Sequence, residues 1–181
     1  LDPDQEALEE IPDLAAQGHP SVKIFLTLKR FDRNVEGFLK AMRIAAEVGS
    51  VVLLHCEDAA LMGCCGELVR EAGLTSHRHY PETRPVVAER IATERAIGFC
   101  EISGAATYIV HLSSQEALDV CRGGRARGLP LYVETRPIYL HLDRTRFDEP
   151  DGAKYAGAPP LRQEQDQAAL WAGVVDGAVS T

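Results

Sequence analysis

The feature that most constrains the fold of this chain is a regular alternation of short apolar runs with helical stretches. The runs have the length and the β-branched or aromatic enrichment of buried strands, and they are residues 21–28, 51–56, 106–112 and 131–135. The helical stretches, with their capping residues, are 5–17, 34–48, 57–72, 86–102, 113–127 and 163–175. This order predicts a parallel sheet with right-handed crossovers, either an open α/β sheet or part of a (β/α)8 barrel.

Two segments near the end of the chain do not follow this alternation. Residues 138–160 are predicted to form a long irregular loop, and such a loop in a compact α/β protein is usually functional. Residues 177–181 predict the start of another strand. Because the chain begins with Leu1 rather than Met and stops at that strand, we interpret it as a piece of a longer polypeptide.

Charge and composition restrict the classes of partner. The formal net charge of -8 and the pI near 5.2, without a cluster of Lys or Arg, argue against a nucleic-acid partner. No apolar run reaches the roughly 18 residues of a membrane helix, and no signal peptide is recognisable. We therefore predict a soluble, cytoplasmic protein that has no membrane partner and acts on a small neutral or polar molecule.

The five cysteines are an odd number and show no C-x-x-C spacing. Free thiols in a reducing cytoplasm are the simplest interpretation of this pattern. The adjacent Cys64 and Cys65 could form a metal or redox pair, but we favour small residues that pack a helix.

One charged residue, Lys23, interrupts the first apolar run. Burial disfavours an ammonium group, so this lysine must reach the wet end of the strand, meet a carboxylate or be chemically altered. A neutral amine can react with carbon dioxide to give a carbamate, which is an anionic oxygen ligand able to bridge two cations. Lys23 is therefore a candidate metal ligand.

A histidine ends each of the next two predicted strands. His55 follows the run that begins at Val51, and His111 follows the run that begins at Ala106. The carboxyl ends of neighbouring parallel strands meet at one edge of a sheet, where the sites of α/β proteins are built. Neutral imidazole is a good zinc ligand. We therefore predict that His55, His111 and Lys23 contribute to one metal site.

Six short motifs follow one another along nearly the whole chain. They are Ser21-Val-Lys-Ile-Phe25, Leu54-His-Cys-Glu57, Thr83-Arg-Pro85 with Glu89, Val110-His-Leu-Ser-Ser114, Glu134-Thr-Arg-Pro137 with Tyr139-Leu140, and Gly152-Ala-Lys-Tyr155 with Pro159-Pro-Leu-Arg162. In order and spacing they resemble the dihydropyrimidinase and D-hydantoinase family, which are cyclic amidohydrolases of the amidohydrolase superfamily. Each motif alone is weak, but six in order are specific.

The resemblance implies that residues 1–181 are the central part of a single metal-dependent amidohydrolase barrel domain. This part is strands four to seven of a parallel (β/α)8 TIM barrel and the lead into strand eight. The resemblance also implies two divalent metal ions, usually zinc, bridged by N6-carboxylated Lys23 and a hydroxide, with His55 and His111 as further ligands. With Lys23 as catalytic residue, the bridging hydroxide would open the ring of a cyclic amide of the dihydropyrimidine or hydantoin type. Family members are commonly homo-tetramers.

The chain departs from the family pattern in several places. We expect the first-strand His-x-His pair, the eighth-strand aspartate and any flanking β-domain to lie outside it. Leu28 stands where hydantoinases usually carry a tyrosine that donates to the developing oxyanion. Ala158 stands where a serine often contacts substrate through its backbone. Candidates to replace the tyrosine are Thr27, Lys29, Tyr139 and Tyr155.

Alternatives to a hydantoinase-type activity remain open at this point. Leu28 leaves an allantoinase-like activity open, and a dihydroorotase-like activity would use the same chemistry. A non-catalytic dihydropyrimidinase-related assembly protein is a further alternative, against which the presence of Lys23, His55 and His111 argues. We expect the 181-residue chain alone to be inactive, because half of the ligands are missing and an unclosed barrel leaves strand edges bare.

Three further pairs of polar residues receive structural interpretations. His77 and His79 are interpreted as solvated loop residues. Glu134 and Arg136 could face the site, but we favour a structural salt bridge. Arg162 and Asp166 are four residues apart on a predicted helix and are interpreted as an ion pair.

Overall fold

The computed structural model describes residues 3–181, and a parallel four-stranded sheet forms its centre. The strands are β1 (Ser21–Phe25), β2 (Val51–His55), β3 (Thr107–Ile109) and β4 (Leu131–Val133). They lie side by side in chain order, each parallel to the next. A doubly wound sheet reverses its strand order at a switch point, whereas a barrel wall keeps it. The predicted fold class, a parallel α/β sheet that forms part of a (β/α)8 barrel, is therefore confirmed.

Helices connect and flank the strands. The α-helices are α1 (Gln5–Ala16), α2 (Lys29–Arg33), α3 (Val35–Glu47), α4 (Ala59–Glu71), α5 (Val86–Ser103), α6 (Gln115–Ala126), α7 (Pro137–His141) and α8 (Glu164–Asp176). Short 3-10 helices lie at 77–79, 81–83, 144–148 and 152–155. The side chains of Asn34, Asp58 and Ser114 cap α3, α4 and α6, a stabilisation of about 1 kcal/mol each. Across residues 3–181, no helix is long and apolar enough to cross a membrane.

Several predicted boundaries were wrong. β1 ends at Phe25 rather than at residue 28, because the chain turns at 26–28 and enters α2, a helix that the sequence pattern did not indicate. The segment 138–160 is not irregular, since it contains most of α7 and two 3-10 helices. Tyr139 and Phe147 are buried there and belong to the hydrophobic core. Pro12 lies inside α1 without ending it.

The two faces of the sheet differ in burial. One face packs against the helices and is at most 1% exposed at Ile24, Leu54, Ile109 and Val133. Burial of one Leu or Ile side chain contributes about 1.5–3 kcal/mol. The other face carries a row of directly paired residues, which are Lys23, Leu53, Tyr108 and Tyr132. This row is only partly covered, and it lies on the face that a closed barrel would turn inward.

The segment that follows α8 lies along the outer edge of β4. The Ser180 N–H donates to the Val133 carbonyl at 2.7 Å, and the Thr135 N–H donates to the Thr181 carbonyl at 2.9 Å. The Thr181 N–H also donates to the Val133 carbonyl, which completes the hydrogen-bond pattern of parallel strands. Residues 180 and 181 therefore pair with β4 as the next strand of a barrel would.

Candidate functional site

His55 and His111 meet at the carboxyl ends of β2 and β3. His55 is the last residue of β2, and His111 lies two residues beyond β3. Nδ1 of His55 is 3.0 Å from Nε2 of His111, and the two rings are nearly perpendicular with centroids 4.6 Å apart. Both side chains are buried. The structure thus brings together the two histidines that the sequence places at strand ends.

An unusual backbone conformation directs the His111 ring to this position. Its φ is 43°, the left-handed region, which costs an L residue about 1–2 kcal/mol. In a continuing strand, residue 111 would share the helix-covered face with Ile109, since side chains alternate. The turn at residue 111 instead places its ring against His55. Glu134 Oε1 accepts a hydrogen bond from the His111 N–H at 3.2 Å and ties this residue to the end of β4.

The His55 ring is held from its other side by Glu57. Nε2 of His55 lies 2.8 Å from Oε2 of Glu57, whose side chain is 1% exposed. Arg84 Nη1 donates to the same carboxylate oxygen. Burial on its own raises the pKa of Glu57, but the hydrogen bond from His55 and the charge of Arg84 outweigh it, so the pKa lies below its ordinary value. Glu57 is therefore an ionised acceptor, and His55 Nε2 carries a proton.

With its proton on Nε2, His55 directs the lone pair of Nδ1 towards the His111 ring. Burial, then the neighbouring His55, Arg136 and Lys23, lower the pKa of His111 to about 3, so its ring is neutral near neutral pH. A hydrogen bond between the rings would place the proton of His111 on Nε2. Its buried Nδ1 has no partner among residues 3–181 and would then be a bare acceptor.

The ring nitrogens fit a shared metal ion in donor type and spacing. Zinc–nitrogen bonds of about 2.0–2.1 Å in a tetrahedral site place two ligand nitrogens about 3.3 Å apart, and the observed separation is 3.0 Å. Within the described part of the chain, no group of three or more His, Cys, Asp or Glu side chains is arranged to hold a metal. These residues therefore supply a pair of imidazoles, and any further ligand must be of another kind or come from elsewhere.

Lys23 lies on the same sheet face as His55. It pairs with Leu53 across β1 and β2, and side chains two residues apart on a strand share a face. Burial lowers the pKa of the half-buried Lys23 amine, although nearby Cys56 and Glu134 act in the opposite direction. Lys23 makes no salt bridge to any residue in the described range. These features increase the fraction of neutral amine available for modification.

A buried ion pair stands beside the β3 end of the site. Glu89 and Arg162 are 2% and 7% exposed, with 3.5 Å between Oε2 and Nη2. Glu89 also accepts hydrogen bonds from the N–H and the hydroxyl of Ser113 at 2.8 and 2.9 Å. Arg162 donates to the Ser113 hydroxyl at 3.0 Å and to the Arg84 carbonyl at 2.6 Å. One polar network therefore links the loops that follow β2 and β3.

The two predicted substrate-contacting residues lie on separate loops. Leu28 is the residue before α2 and is 37% exposed. Ala158 is half-buried and precedes Pro159 through a cis peptide bond. Lys29 begins α2 and is exposed.

The hydroxyl groups considered as replacements for the missing tyrosine have other partners. Tyr139 donates to the Pro159 carbonyl at 2.7 Å, and burial raises its pKa. Tyr155 donates to a carboxylate oxygen of Glu149 at 3.2 Å. The Thr27 hydroxyl faces a methionine sulfur at 3.7 Å. Each would have to give up this partner to donate to a substrate.

The predicted ion pair of Arg162 and Asp166 on one helix was wrong. Arg162 lies before α8, so the i,i+4 geometry of a helix does not apply, and its guanidinium joins the buried network instead. Asp166 accepts hydrogen bonds from the Gln163 N–H at 3.1 Å and the Gln115 N–H at 2.9 Å. It forms a capping box at the start of α8 and joins that helix to α6.

Other structural interpretations were also wrong. Glu134 and Arg136 form no salt bridge in residues 3–181, and Glu134 binds the His111 backbone instead. His77 is half-buried rather than solvated, with Nε2 3.1 Å from the Glu149 carbonyl, and His79 is half-buried too. By contrast, the prediction that the five cysteines are free thiols is confirmed, and Cys64 is exposed on α4.

Sequence patterns assigned no role to three charged residues of the site, Glu57, Arg84 and Glu89, and assigned Arg162 to a different partner. A signal for them was present, since Glu57 follows a buried strand by two residues and Arg84 stands between two turn-forming residues. Their pairing depends on separations of 27 and 73 residues along the chain, which local patterns do not reveal.

Comparison with known proteins supports a common origin for nearly the whole chain. It is 41% identical over 174 residues to a D-phenylhydantoinase from Escherichia coli O9:H4 (strain HS), which covers 95% of this chain and 37% of the relative. No protein-family model matches the chain.

Solved structures give the same result. A D-hydantoinase (dihydropyrimidinase) from Thermus sp. superposes with a TM-score of 0.92 at 34% identity, covering 98% of this chain and 40% of that one. A dihydropyrimidinase from Brevibacillus agri NCHU1002 gives a TM-score of 0.91 at 33% identity, again over 98% and 40%. The chain thus spans about two fifths of the length of these relatives.

Proposed function

This chain belongs to the dihydropyrimidinase and D-hydantoinase family, and we propose on that premise that it is the metal-binding central part of a cyclic amidohydrolase barrel domain. The observation that carries the proposal is the 3.0 Å approach of His55 Nδ1 and His111 Nε2 at the ends of adjacent parallel strands. The protein as a whole would open the ring of a small cyclic amide or ureide by hydrolysis. It would do so as a cytoplasmic homo-oligomer, a tetramer by analogy with its family, with no nucleic-acid or membrane partner.

We assign the metal ligands as His55, His111 and an N6-carboxylated Lys23, which would bridge two divalent ions, most simply zinc. Such ions would polarise the amide carbonyl and lower the pKa of a water molecule, which supplies a hydroxide nucleophile near neutral pH. The lowered pKa of Lys23 supports its assignment as the carboxylated ligand, because a neutral amine is the form that reacts with carbon dioxide.

The residues of this chain would act by binding, orientation and exclusion of water. The His111 ring is neutral and buried, so one of its two nitrogens has a lone pair that can bind a metal ion. Leu28 has no hydrogen-bond donor and would contact the substrate through apolar surface, whereas Ala158 would contact it through its main chain. Stabilisation of the developing oxyanion must then come from groups other than residue 28.

The test uses the complete gene product that carries this sequence. Bound metal is measured by elemental analysis, and ring opening is assayed with hydantoin, dihydrouracil, dihydroorotate and allantoin. We expect bound zinc and turnover of at least one substrate, and loss of both in Lys23→Ala, His55→Ala and His111→Ala. His19→Ala, which changes an exposed histidine before β1, is the matched control and should keep both.

The outcomes separate the alternatives. A metal-free, inert wild-type protein overturns the proposal and favours a non-catalytic relative. Preference for allantoin over hydantoin and dihydrouracil favours the allantoinase-like alternative, for which Leu28 is the observation.

A further inference from the structure

We propose that Glu57 and Arg84 are a positioning pair that fixes the ring of His55 so that Nδ1 offers its lone pair to the metal. The inference rests on the proposed function, since it concerns a ligand of the proposed site. Neither residue needs to touch substrate or metal. Both act through His55, from the side of the ring that faces away from His111.

The first step is the hydrogen bond between His55 and Glu57. Glu57 Oε2 is 2.8 Å from His55 Nε2. An ionised carboxylate can only accept, so Nε2 must donate and the proton of the neutral ring lies there. Nδ1 is then the atom with the free lone pair, and it is also the atom that faces His111 at 3.0 Å. Glu57 thus decides both the orientation and the tautomer of the ring.

The second step is the burial of Glu57. Its side chain is 1% exposed, and Oε1 has no hydrogen-bond partner in the described part of the chain. A buried carboxylate is costly unless a cation or hydrogen-bond donors hold it in place. Glu57 therefore needs a fixed cation.

The third step is that Arg84 provides this cation. Its Nη1 donates to Oε2, the same oxygen that accepts from His55. The Arg84 side chain is 22% exposed, and the same Nη1 lies 3.3 Å from the Met62 sulfur, which further restricts the guanidinium. The Arg84 carbonyl accepts from Arg162 Nη1 at 2.6 Å, so the buried network holds the backbone of residue 84. Contacts with Met62 of α4 and with Arg162, which precedes α8, therefore hold Arg84 in place.

The arrangement gives His55 a property that His111 lacks. A histidine ligand that donates its second N–H to a carboxylate has a fixed ring and a more basic ligand nitrogen. Nδ1 of His111 has no such partner within residues 3–181. Loss of a partner of this kind typically reduces metal affinity by 10- to 100-fold.

The test compares metal affinity in the complete gene product after metal removal. Zinc affinity is measured by competition with a chelator in the wild type and in Glu57→Gln, Arg84→Met and Arg84→Lys. We expect Glu57→Gln and Arg84→Met to bind zinc about 10- to 100-fold more weakly, with partial recovery in Arg84→Lys, which keeps the positive charge. Glu82→Gln is the matched control, because Glu82 forms a partly exposed pair with Arg144 at 2.6 Å and should leave the affinity unchanged.

A second measurement reports the tautomer and requires neither metal nor activity. Ring 15N chemical shifts of the metal-free protein show which nitrogen of His55 carries the proton. We expect Nε2–H in the wild type and a mixture or Nδ1–H in Glu57→Gln, with a His55→Gln spectrum to assign the signals. This measurement does not depend on the folding of any Arg84 variant.

The possible results distinguish the inference from the proposed function. Wild-type protein that binds no zinc and opens no ring overturns the proposed function, and the tautomer measurement then still decides whether Glu57 orients His55. Wild-type protein that binds zinc while both Glu57→Gln and Arg84→Met bind it equally tightly overturns the inference. A wild-type His55 protonated at Nδ1 overturns it as well.

Discussion

His55 and His111 end adjacent strands, but the structure holds them in opposite ways. His55 has regular strand geometry, and its side chain is fixed by Glu57 at 2.8 Å. His111 has a left-handed backbone with φ of 43°, and its Nδ1 has no partner in the described range. What holds His111 is its main chain, through the Glu134 carboxylate at 3.2 Å.

The difference shows that two side chains of one candidate site can depend on different parts of the protein. The orientation of His55 depends on charge, because an ionised Glu57 and its partner Arg84 determine where the ring proton lies. The orientation of His111 depends on backbone shape, which Glu134 and the Glu89–Ser113–Arg162 network maintain on either side. Substitutions at these supports should therefore affect the two histidines separately.

The largest effect is expected for Arg162→Met, which removes the cation of the buried network beside His111. Glu89 would stay buried without its counter-ion, and breaking such a pair typically costs about 3–5 kcal/mol. We expect a loss of this size in the free energy of unfolding, measured by urea denaturation. Arg122→Met is the control, since its pair with Asp176 is 35% and 52% exposed and should contribute about 0–1 kcal/mol. Equal losses in the two variants would contradict the prediction.

The loss caused by Arg162→Met should also depend on pH. Burial raises the pKa of Glu89, and Arg162 and the Ser113 hydrogen bonds offset only part of that rise. A carboxyl group with a raised folded-state pKa contributes its stability below the unfolded pKa and loses it as pH rises through the folded pKa. Removing Arg162 raises the folded pKa further, so the destabilisation should grow from acid towards neutral pH. A difference that stays constant across this range would show that Glu89 does not titrate in the variant.

A smaller effect is expected at the backbone support of His111. Glu134→Ala removes the acceptor of the His111 N–H, and a hydrogen bond to a charged group contributes about 1.5 kcal/mol or somewhat more. Glu134→Gln keeps an acceptor and should recover most of this loss. Urea denaturation of the two variants makes the comparison, and 15N shifts of His55 should stay at their wild-type values in both. A shift of the His55 tautomer would mean that the two supports are not independent.

The sequence was sufficient for the parts of the site that depend on local patterns. Apolar runs separated by amphipathic stretches indicated the parallel sheet, and His55 at the end of such a run was predicted on the correct edge. Lys23 was recognised because a charge inside an apolar strand contradicts its surroundings. Each of these signals lies within a few residues of the feature that it predicts.

The remaining features depend on contacts that local patterns do not contain. His111 carries a conformation that glycine usually adopts, so nothing in its residue type indicates a turn of the backbone. Arg162 was assigned a partner four residues away, whereas its partner Glu89 is 73 residues away. A burial pattern predicts that a residue is inside, but it does not say which other buried group will neutralise its charge.

The smallest expected effect separates the two histidines most clearly. Exchanging alanine for glycine should change the free energy of unfolding in opposite directions at positions 111 and 55. At position 111 the left-handed backbone favours glycine, so His111→Gly should be more stable than His111→Ala by about 1 kcal/mol. At position 55 the backbone is a regular strand, so His55→Gly should be less stable than His55→Ala by about 0.5–1 kcal/mol. All four variants lack one imidazole, and urea denaturation of the metal-free proteins compares the backbones directly. The same sign at both positions would mean that residue 111 leaves the left-handed region once its ring is removed, and that the ring rather than Glu134 maintains the turn.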